Sequence, residues 1–401
     1  MDWLALVLAG LSAVIMVIWL ARHVGLSLAA RRQVVLTADS FPAAREAAPF
    51  ISVIVAAKDE QQSIRRCVET MLAQDYPNFE MIVVNDRSTD RTGPILEELA
   101  RRDQRLRVVH VERLREGWFG KNNAMREGVQ RARGQWFCFS DADCHYSSPR
   151  LLSVAMQYAL KGQIDFLSVL PVLDVQSACE RIVQPVCAAV LIFWFRPQRV
   201  NDPTSSVAYA NGAFMLIRRQ AYASLGGHEA VKTEVNEDIH LARLAKARGL
   251  RLAVVQNRGL LQTRMYSSLA RIWSGWARIF YGCFGSLRRL GLTLFFLVLI
   301  SLSPWFVAAA GWIVTAGLGW QQAGWWPVAA GAASLAVLAQ WSVMLRFYGL
   351  SQADRRYAIA YPLGAMVCCG AILQAMLKVL GAPTTWRGTT YRRRRVVSQP
   401  R

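Results

Sequence analysis

The chain is poor in histidine, with five in 401 residues, and none of the five is spaced to ligate a metal. Its eight cysteines include no Cys-x-x-Cys pair, which excludes zinc-finger spacing. Cys67, Cys138 and Cys144 lie in polar sequence and Cys368-Cys369 in an apolar stretch. They read as reduced thiols used as small apolar residues in a reducing compartment. Acidic residues are scarce beside basic ones, 27 Asp and Glu against 47 Lys and Arg, for a formal net charge of +20. Internal repeats, low-complexity tracts and base-stacking motifs are absent, so nothing in the pattern specifies a nucleic-acid partner.

Apolar residues are abundant instead, at 53% of the chain, and the mean hydropathy is positive. Trp3 to Ala21 is uncharged and long enough to span a bilayer. It has no small-residue cleavage site and is followed by Arg22, Arg31 and Arg32, so it reads as a retained anchor. Leu292 to Leu318, Pro327 to Leu345 and Ala358 to Leu377 are further apolar stretches. Arginines cluster beside these segments: Arg288, Arg289, Arg355, Arg356 and Arg392 to Arg395. That placement assigns the excess charge to an anionic membrane surface on the cytoplasmic side, not to nucleic acid.

Between the apolar ends the pattern alternates. Ile51 to Ala56, Met81 to Val84, Leu106 to Val111, Trp136 to Phe139 and Phe166 to Leu170 read as strands. Gln62 to Ala73, Thr89 to Arg102 and Asn122 to Arg133 read as the helices between them. Such alternation predicts an α/β fold with a mostly parallel sheet. Ligands bind such sheets beyond the carboxyl ends of the strands. The residues expected there are Lys58-Asp59-Glu60, Asn85-Asp86 and Asp141-Ala142-Asp143. Gln176 to Phe195, interrupted by Arg181 and Pro185, reads as a helix lying on the membrane, as does Ser267 to Arg289 with its interleaved tryptophans and arginines.

Two carboxylates at i and i+2 at the mouth of a buried strand, Asp141 and Asp143, suit Mg²⁺ or Mn²⁺ held against a diphosphate. Asp86 can accept from a base or ribose hydroxyl, and Ser88 or Thr89 can cap the following helix. Gly117-Trp118-Phe119-Gly120-Lys121 opens a helix, and its glycines let backbone approach a ligand while Lys121 meets phosphate. Asn236-Glu237-Asp238 begins another helix that Gly249 stops. The helix dipole there favours an ionised Asp238, fit to act as a general base.

In this order the motifs resemble the membrane-bound members of glycosyltransferase family 2. The matching pieces are Val53 to Glu60, Val83 to Thr92, Gly117 to Lys121, Ser140 to Cys144, Gly226-Gly227 and Asn236 to Ala242, and together they span roughly residues 50 to 285. Asn201 to Tyr222, Gly226 to Val231, Arg264 to Trp276 and the tail Trp386 to Tyr391 resemble the family's lipid-directed branch, which includes the ceramide glucosyltransferase-like, hydroxychlorobactene and hopanoid-associated enzymes. The resemblance implies the GT-A fold, a Rossmann-like catalytic domain flanked by transmembrane helices at both ends. It implies that Asp59, Glu60, Asp86, Lys121 and Asp141 bind a UDP-sugar and that Asp143, with Asp141, holds the metal. By the same likeness Asp238 is the base with Glu237 beside it, and Gly226, Gly227, Trp273 and Trp276 shape the acceptor region. Arg271 or Arg278 would help bind diphosphate. The reaction implied is transfer of a single hexose, glucose by preference, to a membrane lipid hydroxyl with inversion.

Two departures matter. Asp59 stands where the family often has Asn. Processive polysaccharide synthases carry Gln-x-x-Arg-Trp on an interfacial helix, and Arg271-Ile272-Trp273-Ser274-Gly275-Trp276 lacks that Arg-Trp pair. A processive synthase, a non-catalytic membrane scaffold that kept the fold and a sugar-nucleotide pyrophosphorylase are the rivals; the last lacks its Gly-rich phosphate loop. The expected organisation is an anchor at 1–22, a basic linker at 23–49, and the catalytic domain at 50–260, including an interfacial helix at 176–197. An amphipathic segment at 261–290, membrane helices at 291–380 and a basic tail at 381–401 follow. The catalytic domain should face the cytoplasm, as at a bacterial inner membrane. Three C-terminal spans would then leave the arginine-rich tail outside, a conflict that a re-entrant 358–377 would remove.

Overall fold

A computed structural model describes residues 2–42, 48–392 and 395–398. Linker positions 43–47 and, in the terminal arginine run, Arg393 and Arg394 lie outside the described residues. The chain forms two compact units. One comprises Met1–Arg32, Val175–Phe193 and Tyr266–Leu380; the other comprises Gln33–Asp174, Trp194–Met265 and Gly381–Arg401.

Among the described residues, helices at Trp3–Arg32, Ala178–Val200, Leu287–Leu318, Trp326–Leu350 and Arg355–Val379 are each long and apolar enough to cross a membrane, and all but residues 194–200 of the second belong to the first unit. The first helix therefore continues eleven residues beyond the apolar run that predicts it, to Arg32. Small side chains let these helices approach: Ala5, Ala9, Ala329 and Ala333 share a cluster with Val307, and a Cβ on Gly311 would lie 2.8 Å from that of Ala330. Several polar groups find partners inside this unit, as an apolar surround favours. Leu297–Leu302 forms a π-turn, which frees backbone carbonyls. The Ile300 carbonyl accepts from Trp19 Nε1 at 3.0 Å and that of Ser301 from Gln340 Nε2 at 3.0 Å. The expected single amphipathic segment at 267–289 is two helices, Leu269–Phe284 and Leu287–Phe296, because Gly285 adopts φ 62° and turns the chain. Ser268 and Ser286 cap them through their side chains, as N-cap serines do.

In the second unit the strands are Val35–Leu36 (β1), Ile51–Ala57 (β2), Phe79–Asp86 (β3), Leu106–Val111 (β4), Trp136–Asp141 (β5) and Cys144–Tyr146 (β6). Phe166–Leu170 (β7), Val172–Leu173 (β8), Met215–Arg218 (β9), Leu252–Asn257 (β10) and Leu261–Thr263 (β11) follow. The main sheet runs β1-β10-β7-β9-β5-β2-β3-β4. Every pairing is parallel except the two made by β9, which is antiparallel to β5 and β7. The central strands are buried on both faces, Ile51–Val55 and the whole of β3 among them. That accounts for their near-continuous apolar sequence. Helices Ile64–Leu72, Thr92–Ala100 and Leu151–Lys161 pack Ile64, Cys67, Val68, Met71, Leu96 and Leu152 into the core on one face. On the other face Ala124, Leu241, Ala242 and Ala245 join Phe137 and Phe139.

A small antiparallel sheet of Thr384–Trp386 (β12), Thr389–Arg392 (β13) and Arg395–Ser398 (β14) completes this unit. The described part of the basic tail is thus folded as part of the α/β body.

Candidate active site

The carboxyl ends of β2, β3 and β5 lie side by side, with Ala56 in register with both Val84 and Asp141. The loops leaving β2 and β3 are stitched together. Asp59 sits at φ 53° and Arg87 at φ 55°, a left-handed conformation that Asp tolerates far better than Arg. Asp59 Oδ1 accepts from the Thr89 amide at 2.8 Å, and the Asp59 amide donates to Ser88 Oγ at 3.0 Å. The Glu60 amide donates to Thr92 Oγ1 at 2.8 Å and the Gln61 amide to Asp90 Oδ2 at 3.0 Å. Ser88 and Thr89 therefore do not cap the following helix, which starts at Thr92. Their hydroxyls lock two loops together instead, because Asp90 and Arg91 intervene before the helix begins. Asp86 is buried and accepts from Arg87 Nε at 2.7 Å and from its terminal nitrogen at 2.9 Å, a bidentate pair.

Helix Gly120–Val129 carries Lys121 in its first turn. The Lys121 ammonium lies 2.6 Å from Asp141 Oδ1 and 2.7 Å from Glu237 Oε1. Burial alone would lower its pKa, but Asp141, Glu237 and Asp238 hold it well above the usual lysine value. One cation thus joins the β5 terminus to the helix Glu237–Ala247. Asp238 accepts at Oδ2 from the Gly212 amide at 2.9 Å and at Oδ1 from the Ile239 amide at 2.8 Å.

Burial, then the charge of Glu237, pushes Asp238 up to about 7 despite the opposing pull of Lys121. The expectation that the helix dipole keeps Asp238 an ordinary ionised carboxylate is corrected here. A dipole contributes roughly 0.3–1 kcal/mol at an exposed helix end, and desolvation beside a second carboxylate outweighs it. Asp143 accepts from Thr263 Oγ1 at 3.1 Å. Burial, Asp141 and Glu60 raise it to about 7.

Residues 52–226 match the model of Glycosyl transferase family 2. The chain carries a family 2 glycosyltransferase domain. Relatives include a beta-monoglucosyldiacylglycerol synthase from Nostoc sp. (strain PCC 7120 / SAG 25.82 / UTEX 2576), 29% identical over 181 residues, 45% of this chain and 38% of that protein. A 4,4'-diaponeurosporenoate glycosyltransferase from Staphylococcus aureus (strain USA300) is 24% identical over 231 residues, 57% of this chain and 60% of that protein. The uncharacterized glycosyltransferase EpsJ of Bacillus subtilis (strain 168) is 33% identical over 119 residues, 30% of this chain and 33% of that protein. The matched region therefore spans between a third and three fifths of these relatives. Among solved structures, the mannosyltransferase PcManGT from Pyrobaculum calidifontis, in complex with GDP-Man and Mn²⁺, aligns with 94% of this chain and 98% of that one, at a TM-score of 0.52 and 16% identity. That likeness shows the shared GT-A fold.

Of the residues singled out in the sequence, the glycosyltransferase unit brings together Asp59, Glu60, Asp86, Lys121, Asp141, Asp143, Glu237 and Asp238. Gly226 and Gly227 shape a turn, with φ 82° and 56°; a Cβ on Gly227 would strike the Tyr222 ring at 2.7 Å. Trp273, Trp276, Arg271 and Arg278 belong to the helical unit, on helix Leu269–Phe284. There Trp273 packs on Gly370, Trp276 is buried, and Arg278 donates to the Tyr266 hydroxyl at 3.1 Å.

Gly212 escaped sequence reasoning. Because β9 is antiparallel, the segment that precedes it arrives at the carboxyl edge of β5, and a Cβ at Gly212 would lie 2.9 Å from Lys121 Nζ and 3.4 Å from Asp141 Oδ2. The signal was Asn211-Gly212 immediately before an apolar strand. Thr263 was missed too; antiparallel pairing of β11 with β6 sets it opposite Cys144 and so onto Asp143.

Asp141 and Asp143 fit a hard divalent cation. They are oxygen donors, and burial first, then the charges of Asp141 and Glu60, raise Asp143 despite the opposing pull of Thr263 and Lys121. Among the described residues no group of three or more His, Cys, Asp or Glu could hold a metal by itself. The remaining ligands would therefore be water and donor phosphate oxygens, as Mg²⁺-type ions prefer.

Proposed function

We propose that this chain is an inverting, metal-dependent hexosyltransferase of a membrane, moving one hexose, glucose by preference, from a UDP-sugar to a hydroxyl of a membrane lipid. The observation that carries it is the Lys121 bridge between Asp141 and Glu237, which sets a buried, basic Asp238 beside the Asp-Ala-Asp terminus. The acceptor hydroxyl gives its proton to Asp238 as its oxygen bonds to the anomeric carbon. The bond from that carbon to the diphosphate breaks, its electron pair leaves with the nucleoside diphosphate, and the configuration inverts. Two backbone amides fix the Asp238 carboxylate, so no reorganisation is needed at the moment of transfer. Lys121 supplies a positive charge for the departing diphosphate, while Asp59, Glu60 and Asp86 present acceptors to the nucleoside. A Mg²⁺ or Mn²⁺ ion on Asp143 and Asp141 would supply Lewis-acid neutralisation of the leaving group.

The lipid acceptor is supported by the helices long and apolar enough to cross a membrane and by relatives whose names include diacylglycerol and 4,4'-diaponeurosporenoate. Lack of an Arg-Trp pair on helix Leu269–Phe284 favours one sugar over a polymer. We read Tyr361–Val379 as a helix that does not cross the bilayer, as the arginine-rich tail asks; within the helical unit it packs Gly370 against Trp273 of the amphipathic helix and Gly364 against the Ile182 carbonyl. The test is incubation of membranes containing the protein with labelled UDP-sugars and total lipid, followed by identification of the labelled product.

A further inference from the structure

The C-terminal sheet is set directly on the donor side of the site. Trp386 pairs with Thr389 across β12 and β13, so Arg387-Gly388 is a two-residue hairpin loop. Both residues have positive φ, 46° and 78°, the signature of a type I′ turn. Such turns strongly prefer Asn-Gly or Asp-Gly, and an arginine at the first position breaks that preference. Local rules of this kind are broken mainly where a function needs the side chain. The Arg387 guanidinium donates to the Glu60 carboxylate and, at 3.4 Å, to the Asp59 carbonyl. Glu60 in turn lies within electrostatic reach of both Asp141 and Asp143. The hairpin is seated by aromatic packing: Phe119 lies 5.1 Å from Trp386 and 4.6 Å from Tyr391, centroid to centroid. The Gly120 amide, first in the helix that carries Lys121, donates to the Tyr391 hydroxyl at 3.1 Å. A Cβ at Gly120 would meet Trp386 at 3.3 Å and Asp86 Oδ2 at 3.1 Å.

We propose that the C-terminal hairpin is an integral wall of the donor site, and that Arg387 is a binding residue for the donor's diphosphate which Glu60 holds in place until the donor arrives. The proposal rests on the glycosyltransferase reading of the site and extends it to residues outside the family-matched segment. Arg387 keeps 37% of its side chain exposed, so an anion can reach it without unfolding the hairpin. Its planar fork suits a diphosphate better than a lysine would. Tyr391 is a positioning residue, acting through Gly120 on the helix of Lys121.

The experiment is calorimetric titration of the full-length protein in detergent, with Mn²⁺ present, using UDP, GDP and uridine. The variants are R387N, R387K and Y391F. R387N installs the residue the turn prefers, so the hairpin should persist and thermal stability should not fall. Its UDP affinity should drop about tenfold or more, with uridine affinity unchanged and R387K between the two. Y391F should keep nucleotide affinity within about threefold yet lower kcat. Wild-type binding of UDP with equal affinity in R387N would overturn the proposal and leave the function standing. Absence of nucleotide binding by the wild-type protein would overturn the function itself.

Discussion

Replacing Asp238 by asparagine removes a base but little volume, and the structure sets the size of the effect. The backbone donors bond different carboxylate oxygens, Gly212 to Oδ2 and Ile239 to Oδ1, so asparagine keeps one of the two bonds at a cost of about 1–3 kcal/mol for the amide left unpaired. The fold should persist while proton transfer is lost, costing about 10²–10⁴ in kcat. The pH dependence gives a sharper test. Burial and Glu237 raise Asp238 to about 7, and only the ionised form accepts a proton. At pH 6 roughly a tenth of the sites are then competent, so wild-type kcat should fall nearly tenfold per pH unit below 7 and level off above it. In D238N the residual rate should lose that slope. Stability supplies an independent sign. The folded-state pKa lies above the reference 3.8, so the folded chain holds the proton more tightly than the unfolded chain does. Stability from this group is therefore present at low pH and lost as pH climbs from about 4 to about 7. D238N, which never ionises, should lose this group's pH dependence, so its melting point should fall less between pH 5 and pH 8 than that of wild type. The assay is release of nucleoside diphosphate from a UDP-sugar with lipid acceptor, run from pH 5 to 9 beside thermal melting. Near-normal turnover in D238N, or an unchanged acid limb, would refute the assignment of the base.

Three further outcomes follow from the geometry. G212A places a methyl group 2.9 Å from Lys121 Nζ while leaving the amide on Asp238; kcat/KM should fall about tenfold through misplacement of the ammonium, as read by steady-state kinetics. K121M leaves Asp141 and Glu237 without their shared cation, and kcat should drop about 10²–10³-fold as leaving-group stabilisation is lost. D143A should abolish both turnover and the Mn²⁺ dependence of UDP binding, measured by titrating Mn²⁺ against nucleotide affinity.

Much of this was legible in the chain. Continuous apolar runs and period-3.6 patterning located the strands and helices of the catalytic unit, because a sheet buried on both faces demands such runs. The acidic residues at strand ends were legible for the same reason: Asp59, Asp86 and Asp141 each follow such a run within a few residues. The antiparallel insertion of β9 was not legible, since one short apolar strand carries no mark of its direction; with it went Gly212. The ionisation of Asp238 was misjudged because burial is a property of the packed site and a dipole is visible in sequence. The hairpin at Arg387-Gly388 was hidden because arginine is a poor turn former, and its partner Glu60 lies more than three hundred residues earlier.

The central claim is that a cation-clamped sugar diphosphate gives one hexose to a lipid. Purified protein in lipid vesicles, supplied with UDP-[¹⁴C]glucose and either Mn²⁺ or a chelator, tests it directly. The account predicts a single chloroform-extractable product bearing one hexose, formed with Mn²⁺ and lost with the chelator. Label in an insoluble polymer, or a lipid product formed equally well in chelator, would contradict it.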